Sequence, residues 1–158
     1  MEQRRSRSKR KDEPSLGARA LRLLARREHT RLELEQKLAA HTEDPAALQA
    51  LLDDFASRGW LSEARVADQF VQAKKSRLGP ARIRQALRDK GVPEHLIGPA
   101  LEGVKADELQ SARAVWARKF RAAPGTLSER ARQVRFLQSR GFSIEVAMRV
   151  VGGKAEES

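Results

Sequence analysis

Residues 79–92, GPARIRQALRDKGV, carry the clearest helix signals in the chain. This stretch opens with glycine and proline, and proline is favoured at the first position of a helix because the N–H it lacks would be unpaired there anyway. Ile83 and Leu87 follow four residues apart, which places them on one helix face. Lys90 and Gly91 follow at the C-terminal end. The lysine is favoured there because the helix dipole makes this end negative, and glycine readily adopts the left-handed conformation that caps a helix. The stretch therefore predicts a short, basic, amphipathic helix.

The apolar pair of this helix recurs along the chain. Leu34 and Leu38 lie 49 residues before it, and Leu137 lies 50 residues after its second member, with Val134 one turn earlier. A fixed period of this length is typical of tandem helical repeats. The first repeat departs from the pattern, because residues 39–44 lack the basic residue and glycine that close the other two middle helices.

Helix signals also divide the rest of the chain. Thr30 with Glu33, and Thr126 with Glu129, form capping-box patterns at helix starts. Asp44-Pro45 and Pro93 mark further starts, and the glycines at 59, 91 and 141 mark ends. Tyrosine is absent and apolar residues rarely alternate, so strand signals are weak. We expect helices near residues 15–28, 31–41, 45–58, 62–77, 80–90, 93–103, 106–121, 129–140 and 144–151.

These signals predict an all-α protein of three tandem three-helix repeats forming an elongated, curved molecule. A unit of this size buries little surface alone, so neighbouring repeats should share cores or pack end to end. The predicted segments are a disordered basic N-terminal arm (1–15), three repeats (16–59, 60–104 and 105–152) and a disordered C-terminal tail (153–158).

The first helix of each repeat carries apolar residues three or four positions apart, which predicts a buried stripe. The stripes consist of Ala20, Leu23 and Leu24; Val66, Phe70 and Ala73; and Leu109, Ala112, Trp116 and Phe120. Aromatic side chains could instead stack on nucleobases, but their helical spacing favours core packing. This interpretation covers Trp60, Trp116, Phe70, Phe120, Phe136 and Phe142.

Composition limits the function. The chain has 158 residues and a net charge of +11, of which the predicted arm carries only +3, so the folded body should meet an acidic partner. No window approaches the roughly 20 apolar residues of a membrane span, and no apolar stretch follows the N-terminal charges. We expect a cytoplasmic protein that contacts no membrane. The absence of cysteine excludes disulfides and thiolate chemistry.

Catalytic constellations are missing from the sequence. It contains no glycine-rich phosphate loop, no nucleophile elbow and no His-Glu-x-x-His motif. His29, His41 and His95 lie far apart, and we interpret all three as surface residues. We therefore expect no enzyme activity, no catalytic residue, no metal and no cofactor.

Positive charge is the remaining signal. Arginine outnumbers lysine, which suits bidentate pairing with carboxylates or phosphates. Further basic residues precede the second and third middle helices: Lys74, Lys75 and Arg77 before the second, and Arg113, Arg118, Lys119 and Arg121 before the third. The alternative is an ordinary solvated surface. The candidate residues for binding a partner or nucleic acid are Arg77, Arg82, Arg84, Arg88, Lys90, Arg130, Arg132, Arg135 and Arg140.

Together, three segments resemble the bacterial RecX family of regulatory proteins. They are LGPARIRQALRDKGV (78–92), FASRGWLSE (55–63) and FLQSRGFS (136–143), and the similarity extends over about residues 16–152. The resemblance implies a non-enzymatic modulator of the RecA recombinase in DNA repair and SOS regulation. Members of the family bind the RecA–single-stranded DNA filament within its helical groove and usually suppress ATP hydrolysis, strand exchange and coprotease activity.

Two other interpretations stay open. A three-helix unit with a basic helix can be a helix-turn-helix module of a transcription regulator, although here the basic residues recur along the chain and asparagine is absent. A generic scaffold or RNA-binding helical repeat is the second. We expect a monomer whose partners are the RecA filament and single-stranded DNA, with weak, non-specific binding to duplex DNA.

Overall fold

A computed structural model of the chain describes residues 13–152. The predictions for the tail and for residues 1–12 of the arm lie outside the described residues. Within 13–152 the chain contains nine α-helices, one 3-10 turn and no strand, which confirms the all-α class. The helices are α1 Leu16–Arg26, α2 Arg31–Leu38, α3 Pro45–Ser57, α4 Glu63–Lys74, α5 Pro80–Asp89, α6 Glu94–Ala106, α7 Glu108–Lys119, α8 Leu127–Ser139 and α9 Ile144–Gly152, with the 3-10 turn at Ala39–His41.

The helices form three triplets, each with its own cluster of buried hydrophobic side chains. One cluster lies among α1, α2 and α3, a second among α4, α5 and α6, and a third among α7, α8 and α9. The backbone divides into two compact units, Met1–Ser62 and Glu63–Ser158, so the second and third triplets belong to one unit. The three-helix organisation predicted from the repeat is confirmed.

Local sequence signals explain where these helices begin and end. The Thr30–Glu33 capping box makes both of its hydrogen bonds, and the Asp44 carboxylate accepts from the backbone N–H groups of Ala46 and Ala47. The glycines at 59, 91 and 141 all have positive φ, at 73°, 90° and 94°. Five starts differ from prediction by one or two residues; for example, Pro93 is the N-cap of α6, and α8 begins at Leu127.

The repeated apolar positions lie at the centres of the three cores. Leu34, Ile83, Leu87 and Leu137 have no exposed surface, and Leu38 is 1% exposed. In the third repeat, a polar residue occupies a core position that is apolar in the first two repeats. Val134 is only partly buried, and the buried position one turn before Leu137 belongs to Gln133.

Three predictions about burial are wrong. Ala73 is exposed, so the stripe of α4 runs through Val66, Ala67 and Val71 instead. Trp60 follows its helix-capping glycine and is 43% exposed, with one edge against Phe55. His29, interpreted as a surface residue, is only 1% exposed.

His29 is buried because it lies in the tight link between α1 and α2. Lys37 Nζ lies 3.3 Å from its Nε2, and an ammonium can only donate, so Nε2 accepts and Nδ1 carries the proton. Nδ1 lies 2.9 Å from the carbonyl oxygen of Arg27, to which it donates. Burial is the main cause that lowers the pKa of His29 below its ordinary value of 6.5.

The second and third triplets are joined where α5 begins and α8 ends. The backbone N–H groups of Gly79 and Ala81 donate to the carbonyl oxygens of Arg140 and Gly141, at 2.7 and 3.1 Å. The first N–H groups of a helix and its last carbonyl groups have no partner within that helix, and here those of α5 and α8 pair with each other. The approach requires glycine, because a Cβ on Gly79 would lie 2.5 Å from the Gly141 carbonyl carbon. We call this contact the α5–α8 joint.

Candidate functional site

The predicted site residues lie on or next to α5 and α8, within one compact unit. Three are in α5, three are in α8, Lys90 and Arg140 are the C-caps of these helices, and Arg77 lies in the link between α4 and α5. Placing them on two helices does not bring them all together. Their surroundings differ, and the differences decide which of them are available to a partner.

On α5, one acidic side chain engages two of the arginines. Arg84 Nη1 lies 3.2 Å from Oε2 of Glu94, and Arg88 Nε donates to Oε1 of the same carboxylate. The hydrogen bond from Arg88 lowers the pKa of Glu94, and the same bond raises the pKa of Arg88. This pairing could not be predicted from local sequence, because Glu94 is on the following helix. The positive charge predicted on α5 is therefore partly neutralised.

Four other predicted residues have unpaired charged groups. Within residues 13–152, the guanidinium groups of Arg77, Arg82, Arg132 and Arg135 are exposed and make no hydrogen bond or ion pair. The Arg130 guanidinium lies against the backbone at Gly152, about 3.2 Å from where a Cβ would stand. Lys90 lies over the ring of Phe70, 5.4 Å from its centroid.

A groove beside the α5–α8 joint concentrates positive charge. Its volume is about 390 Å³, and five basic side chains line it: Lys74, Arg77, Arg118, Lys119 and Arg140. Leu78, Val115 and Phe136 complete the lining, and none of these eight residues is acidic. We call this feature the cationic groove.

Packing holds several of these cations in place. Arg140 lies over the Phe136 ring, 5.1 Å from its centroid, and Lys119 lies 5.7 Å from the same centroid. Phe120 packs edge-to-face on Phe136 with centroids 5.4 Å apart. Arg118 donates to the carbonyl oxygens of Ser76 and Ala114. The groove therefore combines oriented cations with an apolar surface.

Sequence reasoning selected two of these five cations, Arg77 and Arg140, and noted the other three only as basic residues preceding the middle helices. Their positive charge was visible, but nothing local indicates which of many basic residues converge. Convergence depends on the α5–α8 joint, which brings together residues about 60 positions apart in the chain.

The described residues contain neither a metal-binding cluster nor a membrane-spanning helix. In the part of the chain that the structure describes, no three His, Cys, Asp or Glu side chains are grouped so as to hold a metal ion. Within the same residues, no helix has the length and apolar character needed to cross a bilayer.

Comparison with solved structures supports the fold. A crystal structure of regulatory protein RecX superposes with a TM-score of 0.77 at 21% identity, covering 88% of this chain and 72% of the other. The crystal structure of RecX from Lactobacillus salivarius gives a TM-score of 0.69 at 17% identity, covering 87% and 93%.

Sequence comparison gives the family. Relatives named regulatory protein RecX include those of Leptothrix cholodnii, 49% identical with 87% of each chain covered, and Halorhodospira halophila, 46% identical with 87% of this chain and 86% of the other covered. Models of the first, second and third RecX three-helix domains match residues 18–54, 62–101 and 106–151. With three family domains in order and close relatives over most of its length, the chain belongs to the RecX family of regulatory proteins.

Proposed function

We propose that this protein binds the RecA–single-stranded DNA filament and lowers its ATPase, strand-exchange and coprotease activities. The observation that carries the proposal is the set of three RecX domains, of which the second and third present partner-free arginines and a cationic groove. RecA and the DNA both carry acidic groups that such a surface can bind. In this proposal the protein acts as a cytoplasmic monomer, needs no cofactor and catalyses no reaction.

Inhibition without an active site follows from preferential binding. Several linked domains on one chain bind a polymer more tightly than each does alone, because the first contact raises the effective concentration of the others. If ATP turnover needs neighbouring recombinase subunits to shift, a ligand that binds one arrangement better depopulates the rest. The rate of ATP hydrolysis then falls as the populations of the other arrangements fall.

The decisive measurement is RecA ATP hydrolysis on single-stranded DNA of arbitrary sequence, titrated with this protein. We expect inhibition below one inhibitor per recombinase. The Arg84→Glu/Arg88→Glu variant should need at least about tenfold more protein, which corresponds to about 1.4 kcal/mol. Arg22→Glu/Arg26→Glu, on exposed positions of α1, is the matched control. Unchanged inhibition by the folded α5 variant would exclude α5 from the binding surface.

Glu94→Gln tests the same surface in the opposite direction. It removes the carboxylate that occupies Arg84 and Arg88, so both become available to a partner. We expect half-maximal ATPase inhibition at a lower protein concentration than for wild type. Weaker inhibition by a folded variant would mean that the paired arrangement, and not free arginine, is what the partner recognises.

The same proteins test the alternative of a sequence-specific DNA-binding regulator, which the basic α8 favours. Such a regulator binds its operator about 10³-fold or more tighter than random duplex. A selection from random duplexes that enriches one sequence to this degree, with no effect on ATPase, would favour the alternative.

A further inference from the structure

We propose that the cationic groove binds the sugar-phosphate backbone of a single nucleic-acid strand. The inference deepens the proposed function, on which it rests, by assigning the contact with the filament's DNA to particular residues. It also assigns that contact to the junction of the second and third domains, and not to the middle helices on which most of the predicted residues lie.

The charge of the groove is the first support. Its five cations surround about 390 Å³ and no lining residue is acidic, so the potential there is strongly positive. Three of the five are arginines, whose planar guanidinium groups form paired hydrogen bonds with phosphate. On α5, by contrast, Glu94 already occupies two arginines.

The size and apolar lining of the groove favour a single strand. Its volume is near the lower end of the range for small-ligand sites, about 300–1,000 Å³, and is too small for a double helix. Leu78, Val115 and Phe136 place apolar surface beside the cations. Proteins that bind single strands without sequence preference combine these two features, because each nucleotide brings a phosphate and an apolar base. An acidic protein segment would bring charge without the base faces.

Three of the five cations, Arg118, Lys119 and Arg140, are held by contacts within the protein before any ligand arrives. Arg118 is oriented by two backbone carbonyl groups, and Arg140 by the face of Phe136. Arg77 and Arg140 lie on opposite sides of the α5–α8 joint, where the Gly79 N–H donates to the Arg140 carbonyl oxygen at 2.7 Å. Because this ordering is completed on folding, binding a strand costs less side-chain entropy.

The test measures binding of a fluorescein-labelled oligothymidylate by anisotropy, without recombinase, over a series of salt concentrations. The variants are Arg77→Glu/Arg140→Glu in the groove and Arg22→Glu/Arg26→Glu as a matched control. Arg26, like Arg140, lies at the C-terminal end of a helix, so both variants lose a cation near a helix terminus. Circular dichroism checks that each variant is folded, and the same samples are titrated into the RecA ATPase assay.

We expect the groove variant to bind the oligonucleotide at least about tenfold more weakly than wild type, and the control within about twofold, since phosphate contacts dominate such affinities. For the neutral variant Arg77→Gln/Arg140→Gln, the negative slope of log K against log salt should become less steep by about 0.7 for each lost phosphate contact.

Other outcomes separate this inference from the proposed function. If the groove variant binds the oligonucleotide as wild type does but no longer inhibits the ATPase, the groove binds a protein segment and the inference is wrong. If wild type inhibits the ATPase without binding the oligonucleotide, the inference is wrong and the proposed function stands. If the groove variant alone loses oligonucleotide binding and wild type never affects the ATPase, the groove assignment holds and the proposed function is wrong.

Discussion

Gln133 is a polar residue at a core position that is apolar in the first two repeats. It is 6% exposed, and its Oε1 accepts a hydrogen bond from the Trp116 indole N–H at 2.9 Å. A buried amide is tolerated when its polar atoms are paired, and leaving the partner unpaired costs more than the bond contributes. The pair therefore fixes how α7 packs against α8.

Replacement of Gln133 by alanine should lower the free energy of unfolding by about 1–3 kcal/mol, because the indole N–H loses its acceptor. The second single variant is Trp116→Phe, which removes the indole N–H that donates to Gln133. Urea unfolding of both single variants and of the double variant should give a coupling of about 0.5–1.5 kcal/mol. Additive effects in this double-mutant cycle would show that the hydrogen bond contributes nothing beyond packing.

His29 makes the stability of the first unit depend on pH. Its pKa is lowered in the folded protein, chiefly by burial, so the unfolded chain binds the proton more readily. The stabilisation is complete above the ordinary pKa of 6.5 and is lost as pH falls below it. Protonation also places a second cation against Lys37, whose Nζ lies 3.3 Å away.

We therefore expect the urea midpoint of the first unit, reported by Trp60, to fall between pH 7 and pH 5, and to fall less in His29→Gln. His95→Gln, at an exposed position, should follow wild type. Parallel pH curves for wild type and His29→Gln would mean that the acid sensitivity arises from other groups.

At the scale of helices, the α5–α8 joint explains why residue 79 is glycine. Any side chain there would meet the backbone of Gly141, which cannot move aside as a flexible side chain could. Gly79→Ala should therefore cost about 1–3 kcal/mol, as overpacking does. In this variant, hydrogen exchange at the backbone amides of position 79 and Ala81 should accelerate, because those N–H groups lose their acceptors.

Gly103 provides the matched control for that substitution. It lies within α6, and a Cβ there meets no atom within 4 Å. Gly103→Ala should stabilise the protein by about 0.5–1 kcal/mol, since alanine loses less backbone entropy in a helix. Unchanged protection of the backbone amide at position 79 in a folded Gly79→Ala variant would argue against the joint.

The helices could be predicted from sequence because their signals are local. The capping box at Thr30 and the cap glycine at 91 lie within a few residues of the helix ends that they set. The joint and the groove could not be predicted from sequence, because they depend on contacts between residues far apart in the chain, such as Gly79 and Gly141. Glu94 was missed for the same reason: its pairing with Arg88 depends on how α5 packs against α6.

Each of the two compact units contains one of the chain's two tryptophans. Trp60 belongs to the first unit, in edge contact with Phe55, and Trp116 belongs to the second, bonded to Gln133. The core residues of Met1–Ser62 form a cluster of their own, as do those of the second and third triplets. Each unit therefore has both a core and an optical reporter.

Separate cores predict separate unfolding. Leu34→Ala removes a fully buried side chain from the first unit and should cost about 2–5 kcal/mol. In a Trp116→Phe background, its urea midpoint reported by Trp60 should fall, whereas in a Trp60→Phe background the midpoint reported by Trp116 should not change. Leu137→Ala, equally buried in the second unit, should give the reverse pattern. If either substitution moves both midpoints equally, the two units unfold as one cooperative structure, and binding at the cationic groove would then stabilise the first domain as much as the other two.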